Sequence, residues 1–474
     1  MISSMRAYHN SRDPFFRTPF GAVKTGTDVT LAIDVYDVGG MNVTLRTWSR
    51  NLEEVDYPMA CDWMGDHGHF YVTITPEKPE IVWYNFLIRG DLAFEAYYGP
   101  RQGSVGGVGQ EYYQPCPTSF QLTVYDERPI PEWFKNGVAY QIFPDRFHRG
   151  LDFELNVGKF LPLHQNGVHR RIVGWDEPPY YNRGWNHVIQ EYDFYGGTLM
   201  GIEEKLPYLR DLGITVLYLN PIFEAESNHR YDTGDFTQID PLLGTEDDFK
   251  RLCKKAEEFG ISIILDGVFN HVGADSKYFN RFGNYDEVGA YQSEDSKYRE
   301  WFKFDEYGGY SSWWGINDLP DINEDVESYR KFIYKDKDSI VRRWLRAGAK
   351  GWRLDVADEL PDDFIEGIKK AVVAEKGEDG LLMGEVWEDA SHKTAYGKLR
   401  TYFSGHELDS TMNYPFRDGV MGFMKGWSNA YDLAELLTSL QENYPPQNFY
   451  GALNLLGSPI PPLPASTTEG PPLA

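Results

Sequence analysis

From Trp133 onward this 474-residue chain repeats one unit, a short apolar strand followed by an amphipathic helix. No other feature constrains the fold as much, because alternating strands and helices build a parallel sheet covered by helices. The strand candidates are V-A-Y-Q-I-F at 138–143, I-T-V-L-Y-L-N at 214–220, I-S-I-I-L-D-G-V at 261–268, G-W-R-L-D-V at 351–356, L-L-M-G-E-V-W at 381–387, L-D-S-T-M-N-Y at 408–414 and A-L-N-L-L-G at 452–457. Residues 246–259 and 362–375 carry the helical spacing of apolar residues between them. Seven such units predict a (β/α)8 barrel spanning 133–458. Its eighth unit would begin after Ser458, where the chain instead reads P-I-P-P-L-P-A-S-T-T-E-G-P-P-L-A. A segment so rich in proline forms neither strand nor helix. The expectation is a barrel truncated after its seventh strand, with 459–474 a non-native tail from a frameshifted or truncated reading frame. The longest interruption, 271–319, is rich in Tyr, Trp, Gly and Asp and predicts a small subdomain inserted after the third strand.

Residues 1–125 read differently. Short β-rich runs at 29–35, 42–48, 70–75 and 82–88 are separated by turn residues, the pattern of a β-sandwich. The glycine-rich stretch 98–110 lacks the lysine and the strand–loop–helix setting of a phosphate cradle and reads as a turn. Residues 126–132, D-E-R-P-I-P-E, read as a linker.

The net charge of −26 argues against nucleic acid as a partner, which calls for a basic surface. No run of 18 apolar residues exists and no apolar h-region follows Met1, so neither a membrane span nor a secretory signal is expected, and the expected location is cytoplasmic. Cys61, Cys116 and Cys253 are too few and too far apart for a disulfide framework or a zinc site.

The chemistry-bearing residues fall at strand ends, where barrels of this kind place their active sites. The third strand delivers Asp266, Asn270 and His271; the fourth Arg353 and Asp355; the fifth Glu385. One carboxylate in an apolar strand can be a structural ion pair. Three polar clusters at equivalent places in successive units point to a catalytic site. Two carboxyl groups flanking a glycosidic bond supply a nucleophile and a general acid, and Asp355 and Glu385 suit those roles. Arg353 shares a strand face with Asp355, so its cation is expected to keep Asp355 ionised, while Glu385 must hold a proton for the leaving oxygen. His271 suits hydrogen bonding to sugar hydroxyls. The 15% aromatic content fits a sugar site and a protein core equally well.

The segments Y-Q-I-F-P-D-R-F (140–147), Y-L-N-P-I-F-E-A-E-S-N-H-R-Y-D-T (218–233), D-G-V-F-N-H-V-G (266–273), G-W-R-L-D-V-A-D-E (351–359) and G-E-V-W-E-D-A (384–390) together resemble the alpha-amylase family of retaining glycoside hydrolases. Within it they most resemble the neopullulanase, cyclomaltodextrinase, maltogenic amylase and amylopullulanase group. The resemblance implies a starch-binding type of N-terminal sandwich, an inserted domain B at 271–319, and a short family motif in L-P-D-I-N at 319–323. It implies that Asp355 is the nucleophile, Glu385 the general acid/base, Arg353 and His271 a substrate-site pair, Tyr231 the ring under the sugar being cleaved, and Asp266 and Asn270 supporting residues. Trp387 resembles an aromatic residue on the leaving-group side; a core tryptophan is its other reading. The substrates implied are maltodextrin, cyclodextrin, pullulan or starch, cleaved at α-1,4 and also at α-1,6 bonds, and relatives of this kind form homodimers. The family's third carboxylate follows a histidine after a strand like 452–457, where this chain has Ser458-Pro459-Ile460. A glucan-binding remnant that has lost catalysis is therefore the alternative to an active hydrolase. No cofactor is required. Calcium is not expected at the family's position near the first strand, because R-F-H-R-G-L-D-F-E-L-N (146–156) and Gly196-Gly197-Thr198 carry an incomplete set of oxygen ligands.

Overall fold

The computed structural model describes residues 6–36, 41–50, 53–90, 95–180, 182–183 and 189–457. Ser458, the tail 459–474 and the expected eighth unit lie outside the described residues.

Residues up to Tyr125 form two antiparallel sheets face to face. One contains Val29–Tyr36 and His67–Ile74, paired over their whole length; the other contains Asn42–Trp48, Ile81–Arg89, Glu95–Pro100 and Phe120–Tyr125. Alternate residues such as Leu31, Ile33, Leu45, Phe86, Ile88 and Leu122 point between the sheets and build their core. The stretch read as a turn at 98–110 is partly sheet: Glu95–Pro100 pairs with Gly109–Tyr112, and only the residues between them make the turn. Phe120–Tyr125 is buried on both faces. Its apolar face meets the sandwich core, and its polar face, Gln121 and Thr123, meets the next domain.

The second domain is built on six parallel strands, β1 Ala139–Ile142, β2 Val216–Leu219, β3 Ser262–Gly267, β4 Gly351–Leu354, β5 Leu381–Gly384 and β6 Ser410–Thr411. Their order in the sheet is their order in the chain, the topology of a TIM-type barrel. Side chains alternate: Tyr218, Ile264 and Met383 pack on the inner side, Leu217, Ile263, Trp352 and Leu382 against the helices. Helix Glu246–Glu258 begins at a capping box between Thr245 and Asp248 and buries Phe249, Leu252, Cys253 and Ala256, one face at helical spacing. Helix Asp362–Lys376 stops at Gly377, whose φ of 60° suits glycine.

The seventh strand expected at 452–457 is not formed. A single parallel bridge, Met412 to Leu453, marks its place, with Leu453 N–H donating to Thr411 O and Asn413 N–H to Leu453 O. The physical reason lies beside it: β6 is itself only two residues long, so its neighbour finds few free backbone partners. Two small sheets escape the sequence pattern, His169–Ile172 with Ile189–Phe194 after β1, and Phe223–Ala225 with Thr233–Ile239 after β2. Residues 271–323 follow β3 as loops with two single 3-10 turns, pinned by isolated bridges such as His271 to Asp321 and Ser312 to Pro320.

Candidate active site

Register builds the site. Asp266 on β3 lies directly opposite Arg353 on β4, so both side chains leave the sheet on the same face at the same height. The guanidinium of Arg353 then gathers three carboxylates: Asp266 Oδ1 at 2.7 Å and Asp355 Oδ1 at 2.7 Å from Nη1, and Glu385 Oε2 at 2.8 Å from Nη2. All four residues are buried. Asp266 also accepts hydrogen bonds from the hydroxyls of Tyr218 (2.5 Å) and Tyr231 (3.0 Å). Glu385 accepts one from Tyr414 (3.3 Å) and one from the Val356 backbone N–H (3.0 Å). Val356 holds φ 40°, ψ 63°, a left-handed conformation that costs a β-branched residue about 1–3 kcal/mol. It turns the chain immediately after Asp355 so that an N–H faces Glu385.

One cation cannot neutralise three buried carboxylates. Burial, followed by the neighbouring charges of Glu385 and Asp266, pushes Asp355 up to about 8 against the opposing pull of Arg353. Asp266 is likewise raised, chiefly by burial. This corrects the expectation that Arg353 alone keeps Asp355 ionised. The cation is where the sequence places it, but desolvation and two more acids outweigh it. At neutral pH burial therefore favours a proton on the Asp355–Asp266 pair.

His271 donates from Nε2 to the Tyr231 carbonyl oxygen (3.1 Å), and its Nδ1 has no protein partner. Burial lowers it to about 3, so it is neutral. Both polar atoms of the buried Asn270 side chain also lack protein partners. Asn270 borders a polar cavity of about 170 Å³ shared with Lys303, Ser311, Asp321, Glu324 and Glu359. The ring of His271 stacks on Trp313 (centroids 5.3 Å), Trp313 on Trp314 (5.2 Å), and Trp314 meets Trp387 edge-on (6.3 Å). Trp387 is partly buried and packs on the inner core cluster as well, so both of its readings have a physical basis.

All eight residues singled out in the sequence thus belong to one region. Seven of them join the carboxylate network or border it, and Trp387 stands at the end of the aromatic run. Tyr218, Val356, Tyr414 and Trp313 are absent from that sequence reading. Tyr218 was detectable, since a phenol on the inner face of a buried strand needs a partner. The conformation of Val356 has no sequence signal.

Near β1, the position considered for calcium is occupied by protein hydrogen bonds. Asp145 spends its two oxygens on the N–H groups of Tyr195 and Gly196, and Thr198 Oγ donates to Asp152. These residues do not form an oxygen cage.

With this geometry in view, residues 141–449 match the family model for the alpha amylase catalytic domain. The chain belongs to the alpha-amylase family. An amylopullulanase of Thermoanaerobacterium saccharolyticum is 36% identical over 95% of this chain and 37% of its own length. Neopullulanase 2 of Thermoactinomyces vulgaris is 32% identical over 79% of this chain and 58% of its own. The chain spans about a third of the length of the amylopullulanases it matches. Among solved structures, a cyclic alpha-maltosyl-(1→6)-maltose hydrolase from Arthrobacter globiformis, in complex with maltose, is 32% identical with a TM-score of 0.57, over 69% of this chain and 67% of that one. The type III pullulan hydrolase from Thermococcus kodakarensis covers 95% of this chain and 72% of its own at 24% identity and TM-score 0.59, a likeness of fold. Among the described residues no helix is long and apolar enough to cross a membrane.

Proposed function

We propose that this domain is a retaining α-glucan hydrolase acting on α-1,4 bonds, and on α-1,6 bonds in the same cleft, of maltodextrin, cyclodextrin, pullulan or starch. The observation that carries the reading is the gathering of Asp355 and Glu385 by one guanidinium at the ends of adjacent barrel strands. Two carboxyls side by side, with one proton held among them, are what double displacement requires. Glu385 donates its proton to the glycosidic oxygen as an oxygen of Asp355 bonds to C1 and the C1–O bond breaks. Glu385, now ionised, takes a proton from water, whose oxygen displaces Asp355 and restores both carboxyls. Arg353 stabilises the carboxylate that leaves C1. The unpartnered atoms of His271 and Asn270 would meet sugar hydroxyls, and Tyr231 would carry the ring being cleaved.

The relatives' names, amylopullulanase and neopullulanase, support the substrate class. In the same reading the front sandwich binds glucan, 271–319 acts as domain B, subunits pair as a homodimer, and catalysis needs no metal. The test is reducing-sugar release from pullulan and β-cyclodextrin by the purified chain. Turnover that vanishes in Asp355→Asn and Glu385→Gln supports the proposal. Binding of both glucans without turnover overturns it in favour of a glucan-binding remnant.

A further inference from the structure

The loop that carries Glu385 and Trp387 away from β5 is held from two sides, by Tyr444 of the barrel domain and by the front sandwich. Ser391, fully inside the protein, is held locally by Asp389, which accepts from its N–H (2.9 Å) and its hydroxyl (2.7 Å). From the other side the Gln121 side-chain amide donates to Ser391 Oγ at 3.1 Å and, more weakly, to Ser391 O at 3.5 Å. Gln121 is wholly buried, and its amide also donates to Thr123 Oγ1 at 2.9 Å. Thr123 in turn donates to Asn443 O at 2.7 Å. The same Gln121 is fixed through its backbone, where its carbonyl accepts from Arg17 Nη1 at 3.0 Å. One residue on, the ring of His392 meets Trp83 of the sandwich edge-on at 6.1 Å. Ala390 N–H is taken by the buried Tyr444 hydroxyl at 3.1 Å.

A polar pair on the outer face of a sandwich strand is the ordinary choice at a solvent-facing sheet. Here it is buried, and its hydrogen bonds leave the sheet for the barrel domain, Gln121 to Ser391 and Thr123 to Asn443 O. We infer that Gln121 is a positioning residue for catalysis: the front domain buttresses the 385–391 loop and so sets the aim of Glu385 and Trp387. A loop anchored at β5 on one side and at Ser391 on the other has little freedom between. Loosening the second anchor lets the acid drift from the leaving oxygen, and a shift of about 1 Å can cost up to about 100-fold in rate.

The inference rests on the acid role proposed for Glu385, so two measurements separate the two claims. Gln121→Leu and Ser391→Ala are compared with wild type on pullulan and on 4-nitrophenyl α-maltoside, whose nitrophenolate leaves with little help from an acid. The expected result is a fall of about tenfold in kcat/KM on pullulan with less than about twofold on the aryl glycoside, and recovery in Ser391→Thr, which keeps the hydroxyl. Equal losses on both substrates, or none in a folded protein, overturn the inference. Hydrogen exchange over residues 385–393 is read in parallel, because it needs no activity. Faster exchange there in Gln121→Leu, with the barrel helices unchanged, supports the buttress; unchanged exchange overturns it. Wild type that cleaves neither substrate defeats the acid role itself, and the exchange result still decides whether the sandwich holds the loop.

Discussion

Two ion networks in this molecule differ in their balance of charge. At the barrel mouth, three carboxylates share the single cation of Arg353. At the junction of the two domains, the wholly buried Glu442 takes two cations and a hydroxyl: Arg17 Nη1 at 3.2 Å, Arg12 Nε at 3.0 Å and Ser11 Oγ at 2.5 Å. Arg12 also pairs with Glu435 at 2.9 Å; Arg17 donates to two backbone oxygens, Gly21 O and Gln121 O, and its buried Nε has no protein partner. The junction has a cation for each carboxylate, as a buried ion network needs to offset desolvation. The barrel mouth does not. It keeps excess acid, a strained Val356 and unpartnered polar atoms on Asn270 and His271. A satisfied network holds two domains together. An unsatisfied one stores the proton and the open hydrogen-bonding positions that a reaction uses.

The sharpest way to break this contrast is to remove one acid from each network. Asp355→Asn is expected to lower turnover of pullulan by on the order of 10⁴-fold or more, read as reducing ends released. Its effect on stability should run the other way. Because the carboxyl of Asp355 is raised to about 8 in the folded protein from 3.8, the folded state binds more protons than the unfolded state between those values. Wild-type stability therefore declines as pH rises from about 4 to about 8. Asp355→Asn lacks this term, so its Tm should exceed that of wild type by a margin that grows from pH 5 to pH 8. A margin that shrinks toward pH 8 would mean that the cluster holds no extra proton.

Glu442→Gln makes the complementary test. It leaves Arg17 buried beside a neutral amide, and removing one partner of a buried pair costs about 3–5 kcal/mol. Denaturant unfolding should show this loss, first as undocking of the residues around 430–443 from the sandwich. An unchanged midpoint would show that the junction network is no better satisfied than the catalytic one.

The sequence made the carboxylate network around Arg353 readable because its members sit at fixed offsets from strand ends, and β-strand register is short-range information. Asp266, Arg353, Asp355 and Glu385 each follow an apolar run that could only be a buried strand, and alternation then puts them on one face. The junction network was invisible for the opposite reason. Ser11, Arg12 and Arg17 lie more than 400 positions from Glu442, on segments that carry no shared pattern. The same limit explains the seventh strand. A-L-N-L-L-G has strand composition, but a strand exists only where a neighbour offers hydrogen bonds, and two-residue β6 offers few. The Asp355 expectation failed for a related reason: the i, i+2 spacing reveals the cation, while the burial that outweighs it is a property of the assembled site.

The smallest effect tests whether the phenols on Asp266 belong to the reaction or to the scaffold. Tyr231 gives its hydroxyl to Asp266 at 3.0 Å, and its backbone O accepts from His271. Tyr231→Phe keeps the ring and removes one donor to a charged acceptor, a loss of about 1.5–3 kcal/mol if the bond is made in full only in the transition state. Tyr218 remains on the same oxygen at 2.5 Å and takes up part of that burden. The expected outcome is therefore a fall in kcat/KM of about tenfold at most, carried by kcat with KM nearly unchanged, because the ring proposed to carry the sugar is intact. A rise in KM alone would place the hydroxyl in substrate binding and detach Tyr231 from the carboxylate network.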